Sequence, residues 1–175
     1  MKYLIASDIH GSALYLEKLA ERYRMETADC LVLLGDLLYH GPRNDLPQGY
    51  APKRCIEILN NWDNILCVRG NCDTEVDQMV LNFPIMAEYG VICAEDRQLY
   101  LTHGHRQLPP FKNKPIVLAG HTHVPMAEDR GAYVYVNPGS ISLPKENSSH
   151  TYGVLEGRKI TCKTLDGDIV FVYEF

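Results

Sequence analysis

A chain of 175 residues is long enough for one domain with a real core, and 46% hydrophobic with 22% charged residues is ordinary for a soluble globular protein. The formal net charge of -5 argues against strong general affinity for nucleic-acid backbone. No apolar run is long enough to span a membrane, and Asp8 and His10 interrupt the apolar start too early for a signal core, so the expected compartment is the cytoplasm.

Residues 2–6, Lys-Tyr-Leu-Ile-Ala, read as a buried strand. Ser12 suits a helix cap, and Leu16, Leu19, Ala20 and Tyr23 then recur on one helical face. Cys30 to Leu34 is a continuous apolar run, as in a strand covered on both sides, and it ends at Gly35-Asp36. Residues 37–50, rich in Gly, Pro, Asn and Asp, predict a long loop, which inside a compact domain is usually functional. Pro52 opens a helix with Cys55, Ile56 and Leu59 inward. A third strand is expected over Asn64–Arg69, ending at Gly70-Asn71-Cys72-Asp73, and a short helix over about Glu75–Leu81. The second half is strand-rich, with runs at Gly90–Ala94, Gln98–Thr102, Ile116–Ala119, Ala132–Asn137, Thr151–Leu155, Lys159–Thr164 and Ile169–Phe175. A βαβαβ half followed by a mostly β half predicts two packed sheets with helices outside, in a single domain over 1–175. The strand-rich second half also offers an edge for a homo-oligomer.

The six cysteines, Cys30, Cys55, Cys67, Cys72, Cys93 and Cys162, form no C-x-x-C pair, so free and mostly buried thiols are expected. Metal-type ligands instead follow strand after strand. Asp8 and His10 follow the first, Asp36 the second and Asn71 the third; His103, then His121 and His123, follow two later ones. Each short motif alone is weak, because Asp-x-His, Gly-Asp and Gly-Asn-x-Asp are common loop strings. Together, at the carboxyl ends of strands where an open α/β sheet forms its crevice, they point to one site. Mixed imidazole and oxygen donors suit Mn, Fe, Zn or similar ions, and the absence of cysteine ligands argues against a structural zinc site. Two such ions about 3.5–4 Å apart would clamp a phosphoryl oxygen and generate a hydroxide nucleophile near neutral pH. One carboxylate must bridge them, and Asp36 is the candidate.

The strings Asp8-Ile9-His10-Gly11, Gly35-Asp36, Gly70-Asn71-Cys72-Asp73, Thr102-His103-Gly104-His105 and Gly120-His121-Thr122-His123 occur in that order. This resembles the calcineurin-like metallophosphoesterase superfamily, whose pattern is D-x-H, G-D, G-N-H-[DE], H and G-H-x-H. His40-Gly41-Pro42-Arg43-Asn44, Gly49-Tyr50-Ala51-Pro52, Asn137-Pro138-Gly139-Ser140 and Pro144-Lys145 are similar to its YfcE-type phosphodiesterase subgroup. The resemblance implies a four-layer α/β/β/α sandwich and metal-dependent hydrolysis of a small phosphodiester. It implies two divalent ions, manganese first, with Fe, Zn, Ni, Co or Mg as alternatives. Asp8, His10, Asp36 and His123 would hold one ion; Asp36, Asn71, His103 and His121 would hold the other.

Cys72 departs from the broader family, which has histidine there, although the YfcE-like subgroup shares the cysteine. A thiol near pKa 8.5 is a poorer general acid at neutral pH than imidazolium. Cys72 and His105 are therefore candidates for a catalytic or supporting role, and Asp73 for holding the loop. His40 and Arg43 are candidate substrate-binding residues on the long loop, Arg43 through its planar fork. Asn137 to Ser140 reads as a shaped loop near the site, and His150 as a solvated residue. The rival expectations are a phosphomonoesterase or phosphoprotein phosphatase on the same centre, and a non-catalytic Vps29-like binding scaffold.

Overall fold

The computed structural model describes residues 1–175. Strand β1 (Lys2–Ala6) leads to helix α1 (Ala13–Glu26), β2 (Cys30–Leu33), α2 (Pro52–Asn60), β3 (Ile65–Cys67) and the short α3 (Glu75–Val80). Eight strands follow: β4 (Gly90–Ala94), β5 (Arg97–Leu101), β6 (Ile116–Leu118), β7 (Met126–Asp129), β8 (Val134–Asn137), β9 (Thr151–Glu156), β10 (Lys159–Thr164) and β11 (Ile169–Glu174). The first sheet has the order β11-β10-β9-β1-β2-β3 and the second β4-β5-β6-β8-β7. β1, β2 and β3 run parallel, as do β5, β6 and β8, so each sheet presents a set of carboxyl ends.

The period of two along each strand sorts the core. Leu4 and Ala6 of β1 face the helical layer, meeting Leu16 and Leu19 of α1 and Cys55 and Leu59 of α2. Tyr3 and Ile5 face the other way, into a layer shared with Leu99, Leu101, Ile116, Leu118, Val134 and Val136 of the second sheet. β2 and β6, unbroken apolar runs, are buried on both faces. Ser12 caps α1, its hydroxyl accepting from the Tyr15 N–H at 3.4 Å, and Pro52 opens α2 where its missing N–H costs nothing.

Two packed mixed sheets with helices outside match the expectation, with local differences. The outer face of the second sheet carries Val117, Ala119 and Tyr135, covered by Leu108 and Phe111 of the helix-free segment 104–115. β7 has no counterpart in the predicted strands. Its sequence Met-Ala-Glu-Asp is largely exposed and pairs only with β8, so no alternation marks it. The third strand is shorter than predicted. His150 is not a solvated residue: it is half-buried, its ring stacks on Tyr15 with centroids 4.0 Å apart, and its Nδ1 donates to the Ile141 carbonyl at 2.9 Å. No helix is long and apolar enough to cross a membrane.

Candidate metal centre

The loops after β1, β2, β3, β5 and β6 converge at one edge of the two sheets. Five residues in them hold left-handed backbone without being glycine: Asp8 (φ 55°), His10 (φ 48°), Asp36 (φ 57°), His121 (φ 66°) and His123 (φ 62°). Each costs on the order of 1–3 kcal/mol and persists only where its surroundings impose it. The imposing contacts are visible. The Asp8 N–H donates to the Gly35 carbonyl at 3.1 Å and the His10 N–H to the Asp36 carbonyl at 2.9 Å, tying the first loop to the second. The Asp8 carbonyl accepts hydroxyls from both Ser140 (2.7 Å) and Ser142 (2.9 Å). The His121 N–H donates to Asp8 Oδ2 at 3.0 Å. Gly70 and Gly120 are close-approach positions: a Cβ on Gly70 would collide with the Asp36 backbone and carboxylate, and one on Gly120 with the Ser7 hydroxyl and Asp8.

Three histidines are turned inward by the same device. His10, His103 and His123 each place Nδ1 on a backbone carbonyl, those of Tyr39 (2.8 Å), Leu34 (2.7 Å) and Leu143 (2.6 Å). A carbonyl only accepts, so Nδ1 carries a proton and Nε2, the atom free to take a second proton or an ion, faces the centre. His123 Nε2 lies 3.2 Å from Asp8 Oδ1 and 3.3 Å from His10 Nε2; His103 Nε2 lies 3.4 Å from Asp36 Oδ2 and 3.1 Å from Asn71 Oδ1. Asp8 Oδ1 is buried with no hydrogen-bond partner. Imidazole nitrogens and carboxylate oxygens crowd together around Asp8 and Asp36, an arrangement that a cation satisfies, whether a proton on Nε2 or a metal ion. The side-chain N and O atoms of Asp8, His10 and His123, and those of Asp8, Asp36 and His103, fall into compact buried groups that could hold a metal ion. His121 stands at the mouth, half-buried, with its ring centroid 5.1 Å from that of His103.

Charge is distributed accordingly. Burial alone would raise the Asp8 carboxyl, yet the imidazoles of His10, His123 and His103 hold it well below the usual carboxylate range. Burial would likewise raise Asp36, and the His103 imidazole lowers it. Burial disfavours a charged His103, but the Asp36 hydrogen bond and the charges of Asp8 and Asp36 overcome this and push it up to about 9. Desolvation and the neighbouring His103 lower His121.

The remaining candidates are placed around this cluster. Cys72 is buried within it, grouped with His10 and Asp36. Burial and the Asp36 charge push its thiol up to about 12, and Sγ accepts from the Asn71 amide at 3.2 Å. His105 lies outside, ring centroid 5.4 Å from His103, with Nε2 accepting from Arg106 Nε at 3.3 Å and a buried, unpartnered Nδ1. Arg43 lines a cleft of about 420 Å3 over the cluster. His40 is not among the residues lining that cleft; its ring packs edge-on against Tyr39 and Tyr50. Asp73 accepts the backbone N–H groups of Asp36, Leu37 and Gly70 at 2.7–2.8 Å. Asn137 clamps the Gly120 carbonyl at 2.7 Å. Sequence reasoning assigned no role to Ser142 or to Lys145, which also lines the cleft. The string Asn-Pro-Gly-Ser marked the region of Ser142, but a serine that grips a distant carbonyl has no local signature.

The comparisons with known proteins agree with this geometry. The calcineurin-like phosphoesterase superfamily domain matches residues 1–159. Phosphodiesterase YfcE of Escherichia coli (strain K12) is 47% identical over 161 residues, spanning 89% of this chain and 88% of that protein. The probable metallophosphoesterase YsnB of Bacillus subtilis (strain 168) is 25% identical over 168 residues, spanning 89% of this chain and 83% of that protein. The structure of YfcE, a phosphoesterase from E. coli, superposes with a TM-score of 0.94 at 44% identity, covering 99% of both chains. With the acceptor cluster and the converging loops, these matches settle the family: the chain belongs to the calcineurin-like phosphoesterase superfamily.

Proposed function

We propose that this protein is a metal-dependent phosphodiesterase working through a dinuclear centre. The observation that carries the reading is the set of inward-facing imidazole Nε2 atoms and carboxylate oxygens packed into one buried cluster. The 47% identity to a phosphodiesterase supports the diester preference. Asp8, His10, Asp36 and His123 would hold one ion and Asp36, Asn71, His103 and His121 the other, with manganese the first choice. Two divalent ions in such a site supply Lewis acidity toward phosphoryl oxygens and activate water for attack on phosphorus.

The chain's own residues prepare the rest. Backbone carbonyls fix the imidazole orientations, and Ser140 and Ser142 hold the Asp8 loop in its left-handed form. Arg43 and Lys145 on the cleft lining add positive charge where an anionic ester would enter. The shielded Cys72 thiol is a weak proton donor, so turnover favours esters with good leaving groups.

Purified protein is stripped with chelator, reloaded with manganese and assayed with bis(4-nitrophenyl) phosphate and 4-nitrophenyl phosphate. Metal-dependent hydrolysis preferring the diester is expected, and Asp36→Asn should lose most turnover and bound metal. A preference for the monoester would favour the phosphomonoesterase reading, and no metal-dependent rate would favour the scaffold reading. Full metal content and full turnover in Asp36→Asn would rule out its bridging role.

A further inference from the structure

Beside the metal cleft lies a second cavity that the reading above leaves unused. The segment 104–115 covers the outer face of the second sheet incompletely, leaving a pocket of about 450 Å3. Phe111, Tyr133 and Tyr135 supply aromatic walls, with Leu108 beside them. Thr102 and Gly104, which flank His103, line it too, as does Thr122, which sits between His121 and His123. Thr122 also lines the metal cleft, so the two cavities meet at that residue.

We propose that this pocket takes a flat aromatic arm of the substrate, an aryl ring or a nucleobase, while the phosphoryl group occupies the metal cleft. The proposal rests on the phosphodiesterase reading and names the class of ester it acts on. Three features favour a ring. The volume falls within the usual range for small-molecule sites and exceeds what a methyl ester needs. The Phe111 and Tyr133 rings, inclined at 66° with centroids 5.8 Å apart, put aromatic surface on the lining, against which a further ring packs favourably. The two cations at the lining are already held by carboxylates. Arg106 pairs with Glu88 at 2.9 Å, and Arg130 pairs with Glu128 at 2.8 Å while its guanidinium lies 3.9 Å from the Tyr135 ring centroid. A pocket so neutralised suits an uncharged ring better than a second phosphate.

The test uses phenylphosphonate and methylphosphonate, titrated calorimetrically into manganese-loaded protein. The probes share the metal-binding head and differ in the ring. Wild type should bind the phenyl probe about tenfold tighter, a difference of the size one buried aromatic contact gives. Two variants attack the pocket independently: Phe111→Ala removes a wall, and Ala132→Trp, at an exposed lining position, fills the space. In both, the phenyl advantage should fall to within about twofold, with methylphosphonate affinity and manganese content unchanged. The KM for bis(4-nitrophenyl) phosphate should rise while kcat holds. Methylphosphonate binding without a phenyl advantage in wild type, or an advantage undiminished in both variants, overturns the pocket assignment alone. Loaded protein that binds neither probe overturns the phosphoesterase reading and the pocket with it.

Discussion

Asp73 binds no ion in the proposed centre, yet its replacement by asparagine should destabilise the fold and weaken metal binding. It is 1% exposed, and one carboxylate oxygen accepts the N–H groups of Asp36 (2.8 Å) and Gly70 (2.7 Å) while the other accepts that of Leu37 (2.8 Å). It thereby joins the loop carrying Asp36 to the loop carrying Asn71. In Asp73→Asn the amide oxygen can keep the doubly used position, which leaves the amide NH2 facing the Leu37 N–H, donor against donor. One charge-assisted bond worth about 2 kcal/mol is lost, and the other two weaken to neutral strength. Relief of repulsion from Asp36, and of the burial that raises the Asp73 carboxyl, offsets part of this. The net cost is about 3 kcal/mol, a fall in Tm of roughly 6–12 °C for a domain of this size. Displacing Asp36 should also weaken manganese binding by about 10–100-fold, as loss of a ligand's supporting hydrogen bonds usually does. Scanning calorimetry of chelated protein and a manganese titration measure the two effects. A Tm within about 2 °C of wild type, with unchanged manganese affinity, would refute the argument.

The raised His103 gives manganese binding a pH dependence: in ion-free protein Nε2 carries a proton up to about pH 9, an ion must displace it, and apparent affinity should rise with pH up to that value. Calorimetry at pH 7.5 in buffers of different ionisation enthalpy should find about one proton or more released per protein, and none released would contradict the assignment. The same shift affects ion-free stability: the folded value lies above the ordinary 6.5, so its contribution is present below pH 6.5 and lost as pH rises through about 9. Tm of chelated protein should fall across that window while that of loaded protein does not. Cys72→Ser should keep turnover within about threefold, because a hydroxyl can also accept the Asn71 amide; a loss of a hundredfold would give the thiol a chemical role. Gly120→Ala should fold, since that backbone is not left-handed, but its methyl would press on the Ser7 hydroxyl and lie 2.8 Å from Asp8 Oδ2. Manganese affinity, read by titration, should fall by at least about tenfold, and wild-type affinity would show that the strands can part there.

The ligand types were legible because they obey a rule that a sequence displays: acid, imidazole or amide just past an apolar run, beside glycine. His10, Asp36, Asn71, His103 and His121 announce themselves this way, and Asp8 and His123 each lie two residues from one of them. The parallel strands were equally legible, since burial on both faces leaves unbroken apolar runs such as Cys30 to Leu34. What stayed hidden depends on partners far along the chain. Ser142 matters through a carbonyl 134 residues away, and Lys145 only because its loop returns to the cleft. β7 escaped because an exposed edge strand needs no apolar alternation. His150 looked unpartnered because Tyr15, on which it stacks, lies in another element altogether. The pocket beside Thr122 is set by how loosely the segment 104–115 covers a sheet, and no motif encodes the fit of a cover.

The strain at the centre explains why so many supporting contacts were needed. Five of the proposed ligands sit in left-handed backbone, together costing on the order of 5–15 kcal/mol, comparable with the whole stability of a typical domain. An ion could compensate that cost, but the loops would then be shaped only when it was bound. Here Asp73, Ser140, Ser142, Asn137 and three histidine-to-carbonyl bonds impose the shape from the protein side. The donors are aimed before any cation arrives, so binding energy need not be diverted into building the site. That division of labour also accounts for where the centre lies. Parallel strands of two sheets deliver rigid carboxyl ends to one edge, and the proposed ligands lie within the first few residues beyond them, where the chain has little freedom to relax. A strained ligand loop tied to a single flexible segment would revert to an ordinary turn, whereas one tied to strands of both sheets cannot do so without disturbing the core between them.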